Sequence, residues 1–474
     1  MKSLLCVRHT RPARRYLPIV PFATLSWLLV VSTVTAQFVS NTQIEPFVVG
    51  LIPVVGRSGA VGGVSIDAAG VLSRSSADAS SQLRDARQRA LAPIDSDLAA
   101  TSALRKISLR RLSAAIDERR VKREPLTDVL QNLAGLTRVQ FVFVYPDQQD
   151  IVLGGPAEGW RIDDRGNVVG QTTGQPVLQL DDLLVALRTA KAAATDRGIS
   201  CSIDASPDGL KKIRPLLNSR TLNETLVRRL EQTLGPQQIT VTGVPPGSHF
   251  ARVLVAADFL MKRLGMNFEP SPDSNLPSYM EMLASRSAAA PKNAMPRWWM
   301  APHYDALLKD EGGLAWQLRG SGVQTLTEDG YLSAAGAEAT PGREDPLAKK
   351  WAAAMTSHYD SLAKSLPVFA ELRNCIDLAV VGALLVKEKL PAKARCDLSL
   401  LLDDKRLAVA EYHVPQTVDS KASLIRKGQS QILSLSGGVQ VDSWSVLNRV
   451  ETSTDLSTTH QSAAALDPNR WWWD

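Results

Sequence analysis

Two adjacent carboxylates, Asp163 and Asp164, stand between apolar runs in residues 159–170, GWRIDDRGNVVG. Neighbouring carboxylates can hold a metal ion, act as a general acid and base, or form a turn. These possibilities need different residues nearby, so the surrounding sequence has to decide between them.

The arrangement recurs in residues 62–72, GGVSIDAAGVL, and in residues 437–447, GGVQVDSWSVL. In residues 62–72 and 159–170 a glycine follows the aspartate after three positions, which is typical of a turn: the carboxylate accepts hydrogen bonds from the next amides, and the glycine adopts a left-handed backbone. A calcium loop needs oxygen ligands at alternate positions, where Arg165, Ala68 and Ala69 stand instead. The pattern therefore predicts hairpin turns and no metal site.

Other nucleophiles and bases form weak patterns. Ser361 and Lys364 have the spacing of a serine–lysine pair, which needs a buried lysine to activate the hydroxyl. They fall at the end of a helix whose apolar face includes His358, so we expect an exposed helix end and a core histidine. Glu411 and His413 alternate on an expected strand and could face one metal, but a third ligand is not apparent.

Trp298 and Trp299 follow each other in the segment PRWWMAP, within a proline-rich stretch over residues 265–304. Long irregular connections are uncommon unless they are functional or disordered, so this stretch is the expected binding surface. The indoles could stack on a sugar ring or a peptide, or they could anchor the loop to the core, which we favour. His303 lies close by and completes this candidate binding set.

Trp471, Trp472 and Trp473 stand in a tail that begins at residue 448 and is rich in Ser and Thr. This composition predicts mobility. Exposed aromatics on a mobile tail would promote aggregation, so we expect them either to fold back or to engage a partner or a membrane interface. Both alternatives stay open.

Residues 1–36 predict a signal peptide. Arginines precede an apolar run over residues 22–34, and small residues suited to cleavage follow at its end. The run is too short for a comfortable membrane span of ~20 residues, so we favour cleavage over a retained anchor. Residues 1–36 contain five of the 54 basic residues and none of the 48 acidic residues, so the rest of the chain has a net charge of +1. The basic composition therefore gives no support for a nucleic-acid partner.

Cys201, Cys375 and Cys396 remain after the leader. Their odd number and wide spacing fit neither a zinc site nor a dense disulfide framework. We expect one disulfide between Cys375 and Cys396, because a helix over residues 368–389 and a returning strand over residues 397–402 would bring them together.

Hydrophobic periodicity predicts the elements that position these residues. The run VQFVFVYP, residues 139–146, is apolar on both faces, as in a central strand. Leucines from residue 180 to 187 repeat at helical spacing, with Asp181 and Asp182 in the first turn, where the helix dipole stabilises carboxylates. We also expect a hairpin over residues 313–327 and strands over residues 407–412 and 439–447.

The length of 474 residues exceeds one ordinary core, and Gly235 and Pro236 interrupt the chain. We therefore expect an α+β (mixed α/β) fold of antiparallel hairpins with packed helices. Its two domains would span residues 37–235 and 236–447, followed by a mobile tail over residues 448–474.

Several long segments resemble one family. They are GGVSIDAAGVL, FVFVYPDQQDIVLGGPAEGW, QPVLQLDDLLVALRTA, VTGVPPGSHFARVLVAADFLMKRLGMNFEPS, PRWWMAP and PVFAELRNCIDLAVVGALL. Together they resemble a family of exported planctomycete proteins classed only as a domain of unknown function. The resemblance implies a shared fold and export, and it carries over no activity and no site residues.

Two functions are compatible with these patterns. The first is a non-enzymatic protein of the periplasm or cell envelope that binds or scaffolds an unknown envelope partner and uses no cofactor. The second is an envelope hydrolase with a dispersed site around His303, Asp305, or Glu411 and His413. The sequence contains no Gly-x-Ser-x-Gly elbow, phosphate-binding loop or His-Glu-x-x-His motif, which favours the first function and leaves the catalytic residues of the second unknown.

Overall fold

The computed structural model describes residues 47–48, 60–61, 63–67, 69–74, 85, 88, 91, 93–195, 198–217, 223–285, 296–329, 345–425, 431–433, 436–464 and 470–474. The expected signal peptide over residues 1–36 lies outside the described residues. Within the described residues, no helix combines the length and the apolar character that crossing a membrane requires.

Helices and strands both contribute much of the structure, which confirms the expected α+β class. The strands are β1 (Phe47–Val48), β2 (Ala60–Val61), β3 (Val64–Ile66), β4 (Val71–Arg74), β5 (Ser102–Ser108), β6 (Phe141–Tyr145), β7 (Asp150–Ala157), β8 (Trp160–Ile162), β9 (Val168–Gly170), β10 (Ile199–Asp204), β11 (Gln237–Thr242), β12 (Pro296–His303), β13 (Leu307–Lys309), β14 (Ala315–Gln317), β15 (Gly322–Asp329), β16 (Leu407–Ala408), β17 (Thr417–Val418), β18 (Ser423–Ile425), β19 (Gln431–Leu433), β20 (Ser436–Val441), β21 (Val450–Thr452) and β22 (Trp472–Trp473). The α-helices are α1 (Ser96–Ala99), α2 (Leu109–Lys122), α3 (Asp128–Gln131), α4 (Leu180–Thr189), α5 (Pro207–Leu217), α6 (Glu224–Leu234), α7 (His249–Gly265), α8 (Tyr279–Ala284), α9 (Pro346–Ser357), α10 (Tyr359–Ser365), α11 (Pro367–Lys387), α12 (Leu390–Ala394), α13 (Ser399–Leu402), α14 (Ser443–Val446) and α15 (Asp455–Ser462).

The largest sheet formed by the described residues has nine strands, in the order β15-β12-β20-β10-β11-β17-β4-β3-β2. Most neighbours are antiparallel, but β12 and β20 pair in parallel, as do β17 and β4. Apolar and polar residues alternate along the central strands, so one face of the sheet is buried and the other is not. On β10, for example, Ile199, Cys201 and Ile203 are each 1% exposed.

Two long helices form the core beside this sheet. Helix α7 begins after Ser248, whose hydroxyl accepts a hydrogen bond from the amide of Ala251, and α11 begins with Pro367, which suits the first helical turn. Most residues of both helices are buried, so each helix is covered on nearly all sides. Helix α7 packs on β10 and β20, and α11 packs on α4 and α7.

A second sheet has seven described strands, in the order β21-β13-β14-β6-β7-β5-β22. The prediction of a central strand over residues 139–146 is confirmed, because β6 lies between β14 and β7. Val142, Phe143 and Val144 of this strand are fully buried. Side chains pointing to both faces are therefore covered, as the apolar run indicates.

The acidic segment of residues 159–170 is the expected hairpin of β8 and β9. Asp163 Oδ1 accepts hydrogen bonds from the amides of Arg165 and Asn167 at 2.9 and 2.8 Å, and Gly166 has φ +87°. Asp67 repeats these contacts ahead of β4, and Gly70 also has a positive φ. The prediction that these aspartates form turns is confirmed.

The expected boundary at Gly235 does not separate two cores. Strand β10 precedes Gly235 and β11 follows it, yet the two strands pair antiparallel over five residues each. On its other edge β10 pairs with β20, from the last quarter of the described chain. Glu45–Asp474 therefore forms one compact unit, because long-range pairing joins the halves into the same sheet.

Several expected strands and turns take other forms. Residues 313–327 are not a hairpin, because β14 pairs with β6 in one sheet and β15 pairs with β12 in the other. The strand expected over residues 407–412 is shorter in the structure, where β16 spans Leu407–Ala408. Strand β20 ends at Val441, and Asp442 then caps α14 by accepting a hydrogen bond from the amide of Ser445.

The expected disulfide between Cys375 and Cys396 does not form. Cys201, Cys375 and Cys396 are buried free thiols. Cys375 lies in the middle of α11, and the chain after Cys396 enters helix α13 and not the returning strand that would have closed the bridge. Burial raises the pKa of Cys396 to about 12, so this thiol stays protonated at neutral pH.

The described part of the tail folds back onto the protein, which corrects the expectation of a mobile tail. Strand β22 pairs antiparallel with β5. Trp472 is 7% exposed, and the guanidinium carbons of Arg105 and Arg470 lie 5.0 and 4.6 Å from the centre of its ring. Arg105 is fully buried and its Nε donates a hydrogen bond to Asp474 Oδ1 at 2.8 Å. Of the two alternatives for these tryptophans, the structure therefore has the folded-back one.

Candidate functional site

The candidate site lies on the open face of the nine-stranded sheet, opposite the face that packs on helices. Because side chains alternate between faces, the residues between the buried positions of β10 and β11 share this open face. They are small hydroxyl, amide and acidic residues, namely Ser200, Ser202, Asp204, Gln238, Thr240 and Thr242. Neighbouring strands continue the same face.

Strand register places one row of residues across this face. Thr240 pairs with Ser202, Ser202 pairs with Gly438, Gly438 pairs with Trp299, and Trp299 pairs with Leu326. Five strands at a spacing of about 4.8 Å give the row a width of about 19 Å. The row is polar at β11 and β10 and apolar at β12 and β15, so the open face has two chemically different halves.

Trp299 is the large aromatic residue of this face. Its indole lies against Gly438, where a Cβ atom would come within 2.8 Å of Trp299 Cζ3. The guanidinium of Arg297 lies 5.2 Å from the ring centre, close enough for a cation–π contact. Leu326 beside it is 47% exposed. Trp299 Nε1 has no hydrogen-bond partner within the described residues.

A groove with a volume of about 850 Å³ opens at this end of the sheet. This volume lies within the range of ligand-binding clefts. Its lining comes from β12, β15, β20 and α9, namely Trp299, Ala301, Gln324, Thr325, Leu326, Thr327, Lys349, Ala352, Ala353, Thr356, Ser357 and Gln440. Most of these side chains are uncharged, and many of the polar ones are hydroxyls and amides.

Helix α9 covers the backbone edge of β15 within this groove. Thr356 Oγ1 accepts a hydrogen bond from the amide of Thr325 at 2.8 Å and lies 3.3 Å from the carbonyl oxygen of Thr325. At this point the edge strand is therefore not available to pair with another strand. Recognition in the groove has to come from side chains.

The charges at the border of this face compensate each other. Arg297 and Asp204 lie 3.7 Å apart, and the hydroxyl of Ser436 donates a hydrogen bond to the same carboxylate. Lys349 is charged, and the other described residues that line the groove are neutral. The electrostatic character of the site is thus close to neutral.

The structure separates the two tryptophans of the candidate binding set. Trp298 points to the helical side of β12 and is fully buried: its ring centre lies 4.3 Å from that of Trp351 and 5.0 Å from that of Tyr279. Its Nε1 donates a hydrogen bond to the carbonyl oxygen of Ala348. Trp298 therefore anchors the strand, as favoured from the sequence, while Trp299 lines the groove.

The anchored segment is a central strand and not an irregular loop, because it pairs on both edges.

The residues of the dispersed hydrolase site are exposed and lie on separate segments. His303 and Asp305 stand at and just beyond the end of β12, and Glu411 and His413 stand before β17. Three strands lie between β12 and β17 in the sheet. Across the described residues, no three His, Cys, Asp or Glu side chains converge in a group that could hold a metal ion.

The remaining sequence candidates make structural contacts. His358 is partly exposed and not a core residue, and its Nδ1 lies 2.8 Å from Asp273 Oδ2. A hydrogen bond from the amide of Asn275, together with that of His358, lowers the pKa of Asp273 to about 2. Lys364 is exposed, so it lacks the burial that a serine–lysine pair requires.

A buried titratable cluster formed by His249, Asp182 and Glu371 was not predicted. His249 Nδ1 lies 2.9 Å from Asp182 Oδ2, and Glu371 Oε2 has no hydrogen-bond partner among the described residues. Burial raises the pKa of Glu371 to about 7, against the attraction of His249. Burial lowers the pKa of His249, but the charge and hydrogen bond of Asp182 outweigh it, so the net shift is upward.

The two features missed from the sequence differ in the signal they leave. The alternating polar residues of ISCSID and QQITVT are visible in the sequence and indicate strands with one solvated face. In contrast, Asp182 and His249 lie 67 positions apart, and no local pattern links them.

Comparisons with known proteins identify a family for one segment. Neither the curated proteins nor the solved structures contain a match to this chain. The matching segment begins in β10 and ends at the first residue of α8, so it includes the open-face residues Ser202, Thr240 and Thr242 as well as His249. Residues 201–279 match the family described as a protein of unknown function (DUF1598).

Proposed function

We propose that this protein is an exported, non-enzymatic protein of the cell envelope that binds a partner through the groove beside Trp299. The observation that carries the proposal is a groove of about 850 Å³ in which a half-buried indole and an exposed leucine stand beside uncharged polar side chains. Binding sites are typically concave and combine apolar surface with a few orienting polar groups. The export part of the proposal rests on the leader-like composition of residues 1–36.

Binding is favoured over hydrolysis by the placement of the candidate acids and bases. A hydrolytic site needs a nucleophile or activated water, a base and a stabilising group within hydrogen-bond reach of one reacting atom. His303 and Asp305 are exposed at the end of β12, whereas Glu411 and His413 are exposed and precede β17. Among the described residues that line the groove there is no His, Cys, Asp or Glu.

Site-specific photo-crosslinking in the native envelope fraction tests this proposal. A photoreactive amino acid at Leu326, which is 47% exposed in the groove, should give a discrete crosslinked product. The same probe at Val121, which is 68% exposed on α2 and outside the groove, is the matched control and should give none. Equal products at both positions, or none at either, would contradict a binding function of the groove.

The same preparation tests export. The N-terminus of the protein recovered from the envelope fraction should lie close to residue 37, after the expected cleavage position. Recovery of the chain with Met1 intact would contradict cleavage of a signal peptide.

A further inference from the structure

We infer that the groove and the open sheet face bind a neutral carbohydrate chain, an inference that rests on the proposed binding function. The juxtaposition behind it is an indole and a leucine at one end of a row across the sheet and two hydroxyl side chains at its other end. Each part of that surface has a counterpart in the chemistry of a sugar ring.

The apolar half of the row matches the C–H face of a sugar. Trp299 and Leu326 are Cα partners on adjacent strands, so their side chains stand next to each other on the same face. An indole provides a flat apolar surface with an N–H at its edge, which suits ligands that are apolar on one face and polar at the rim. Trp299 Nε1 itself is buried, so the indole would meet a sugar with its apolar surface and not with its N–H.

The polar half of the row matches sugar hydroxyls. Serine and threonine hydroxyls donate and accept hydrogen bonds, as do glutamine side chains, so they can pair with hydroxyl groups in either orientation. Ser202 and Thr240 continue the row of Trp299, and Ser200 and Thr242 form the next row beside Gln440. The Oγ atoms of Ser200 and Thr242 lie 2.8 Å apart, which orients both hydroxyls on the surface.

The width of the face suits a chain of several rings. The row from Thr240 to Leu326 crosses five strands, or about 19 Å, and the groove continues from it onto α9. A single small sugar would contact one end of the row, whereas a linear oligosaccharide can contact both halves at once.

Charge and backbone geometry favour a neutral glycan over other polymers. A binder of nucleic acid or of an anionic polysaccharide needs a cluster of cationic side chains. Here Arg297 is compensated by Asp204, and Lys349 is the charged residue among the described residues lining the groove. A peptide that adds a strand to the sheet would need the edge of β15, where Thr356 already occupies the amide and carbonyl of Thr325.

Affinity electrophoresis of the full chain tests the inference. The gels would contain hydroxyethylcellulose, laminarin, glucomannan or dextran as neutral probes and alginate or heparin as anionic probes. We expect retardation by at least one neutral polymer and none by the anionic ones. Trp299→Ala should raise the Kd about tenfold, as for an aromatic hot spot, and Trp299→Phe should raise it less because an aromatic face remains.

A second variant keeps the test independent of Trp299, whose replacement changes a half-buried position. Thr240→Ala removes one exposed hydroxyl from the polar half and should raise the Kd about threefold, as expected for one hydrogen bond. Thr101→Ala, which removes an exposed hydroxyl outside the sheet, is its matched control and should bind like the wild type. Equal melting temperatures of the variants would confirm that binding and not folding has changed.

The outcomes separate this inference from the proposed function. Failure of all four neutral polymers to bind, together with a specific crosslink at Leu326, would overturn the carbohydrate inference and leave the binding function standing. Stronger retardation by alginate or heparin would overturn it as well. If a neutral polymer binds and neither Trp299→Ala nor Thr240→Ala weakens that binding, the assignment of the site to this face is overturned. If the Leu326 crosslink and polymer binding are both absent, the binding function itself is overturned.

Discussion

At the residue scale, the most unusual chemistry lies in the buried cluster of His249, Asp182 and Glu371. Glu371 is 9% exposed. Burial of its carboxyl group and repulsion from Asp163 and Asp182 both raise its pKa. Attraction to His249 acts in the opposite direction and lowers the pKa of Glu371. Asp182 holds the imidazole of His249 by a hydrogen bond. The three side chains come from α11, α7 and α4, so their protonation is coupled to the packing of three helices.

The Glu371 cluster predicts that stability falls as the pH rises from about 5 to about 8. The pKa of Glu371 is raised to about 7 and that of His249 is also raised, so both groups bind more protons in the folded state than in the unfolded chain. The free energy of unfolding therefore decreases as the pH rises. Once the pH is above the folded-state pKa, the decrease is about 1.4 kcal/mol for each unit by which a group's folded pKa exceeds its unfolded pKa. Glu371→Gln should flatten this dependence and be more stable than the wild type at pH 8.

Urea unfolding at pH 5 and pH 8 provides the measurement. The exposed Glu311→Gln is the matched control and should follow the wild-type dependence. A Glu371→Gln protein whose stability changes with pH as steeply as that of the wild type would show that Glu371 is not responsible.

At the element scale, short strands owe their position to contacts with distant parts of the chain. Strand β22 has two residues, yet it holds Trp472 between Arg105 and Arg470 and brings Asp474 to the buried guanidinium of Arg105. Arg105 also donates hydrogen bonds to the carbonyl oxygens of Leu98 and Ala134. Removing β22 would leave this buried charge with backbone partners but without a carboxylate.

Deletion of residues 470–474 should therefore destabilise the protein strongly. Arg105 is fully buried whereas the side chain of Asp474 is 40% exposed, so the loss of their charge-assisted hydrogen bonds should cost about 1.5–3 kcal/mol, and the uncovered edge of β5 adds to this. Guanidinium chloride unfolding of the shortened and full chains would measure the difference. Trp473→Ala keeps both the strand and the ion pair, and it should cost clearly less than the deletion. Equal stabilities of the full and shortened chains would contradict the structural role of β22.

At the scale of the whole molecule, the sheet order makes the two halves of the chain interdependent. Strand β10 lies between β20 and β11, and both neighbours come after Gly235. A fragment that ends at residue 235 would expose both edges of β10 together with its apolar face. Sheets of this kind gain their stability from pairing and burial on several strands at once.

A fragment of residues 37–235 should consequently fail to fold on its own. We expect it to show no cooperative thermal unfolding by circular dichroism, whereas residues 37–474 should unfold cooperatively. Coexpression with residues 236–474 should restore a stable complex, because the missing strands are then supplied. Cooperative unfolding of the isolated fragment would support the boundary expected from Gly235 and Pro236.

The sequence by itself determined the features that depend on residues close along the chain. The turns at Asp67 and Asp163 were predictable because the aspartate bonds to amides two and four positions away. The burial of β6 was predictable because its side chains are apolar on both faces. The mixed α+β class followed from the same periodicities.

Only the tertiary structure decided which surface could act as a site. Trp298 and Trp299 are adjacent residues of the same type. Strand pairing places Trp298 in the core and Trp299 in the groove. Leu326, Gly438 and Ser202 share one row with Trp299 through register between strands far apart in the sequence. Such contacts depend on how distant segments pair, which local hydrogen bonding and periodicity do not encode.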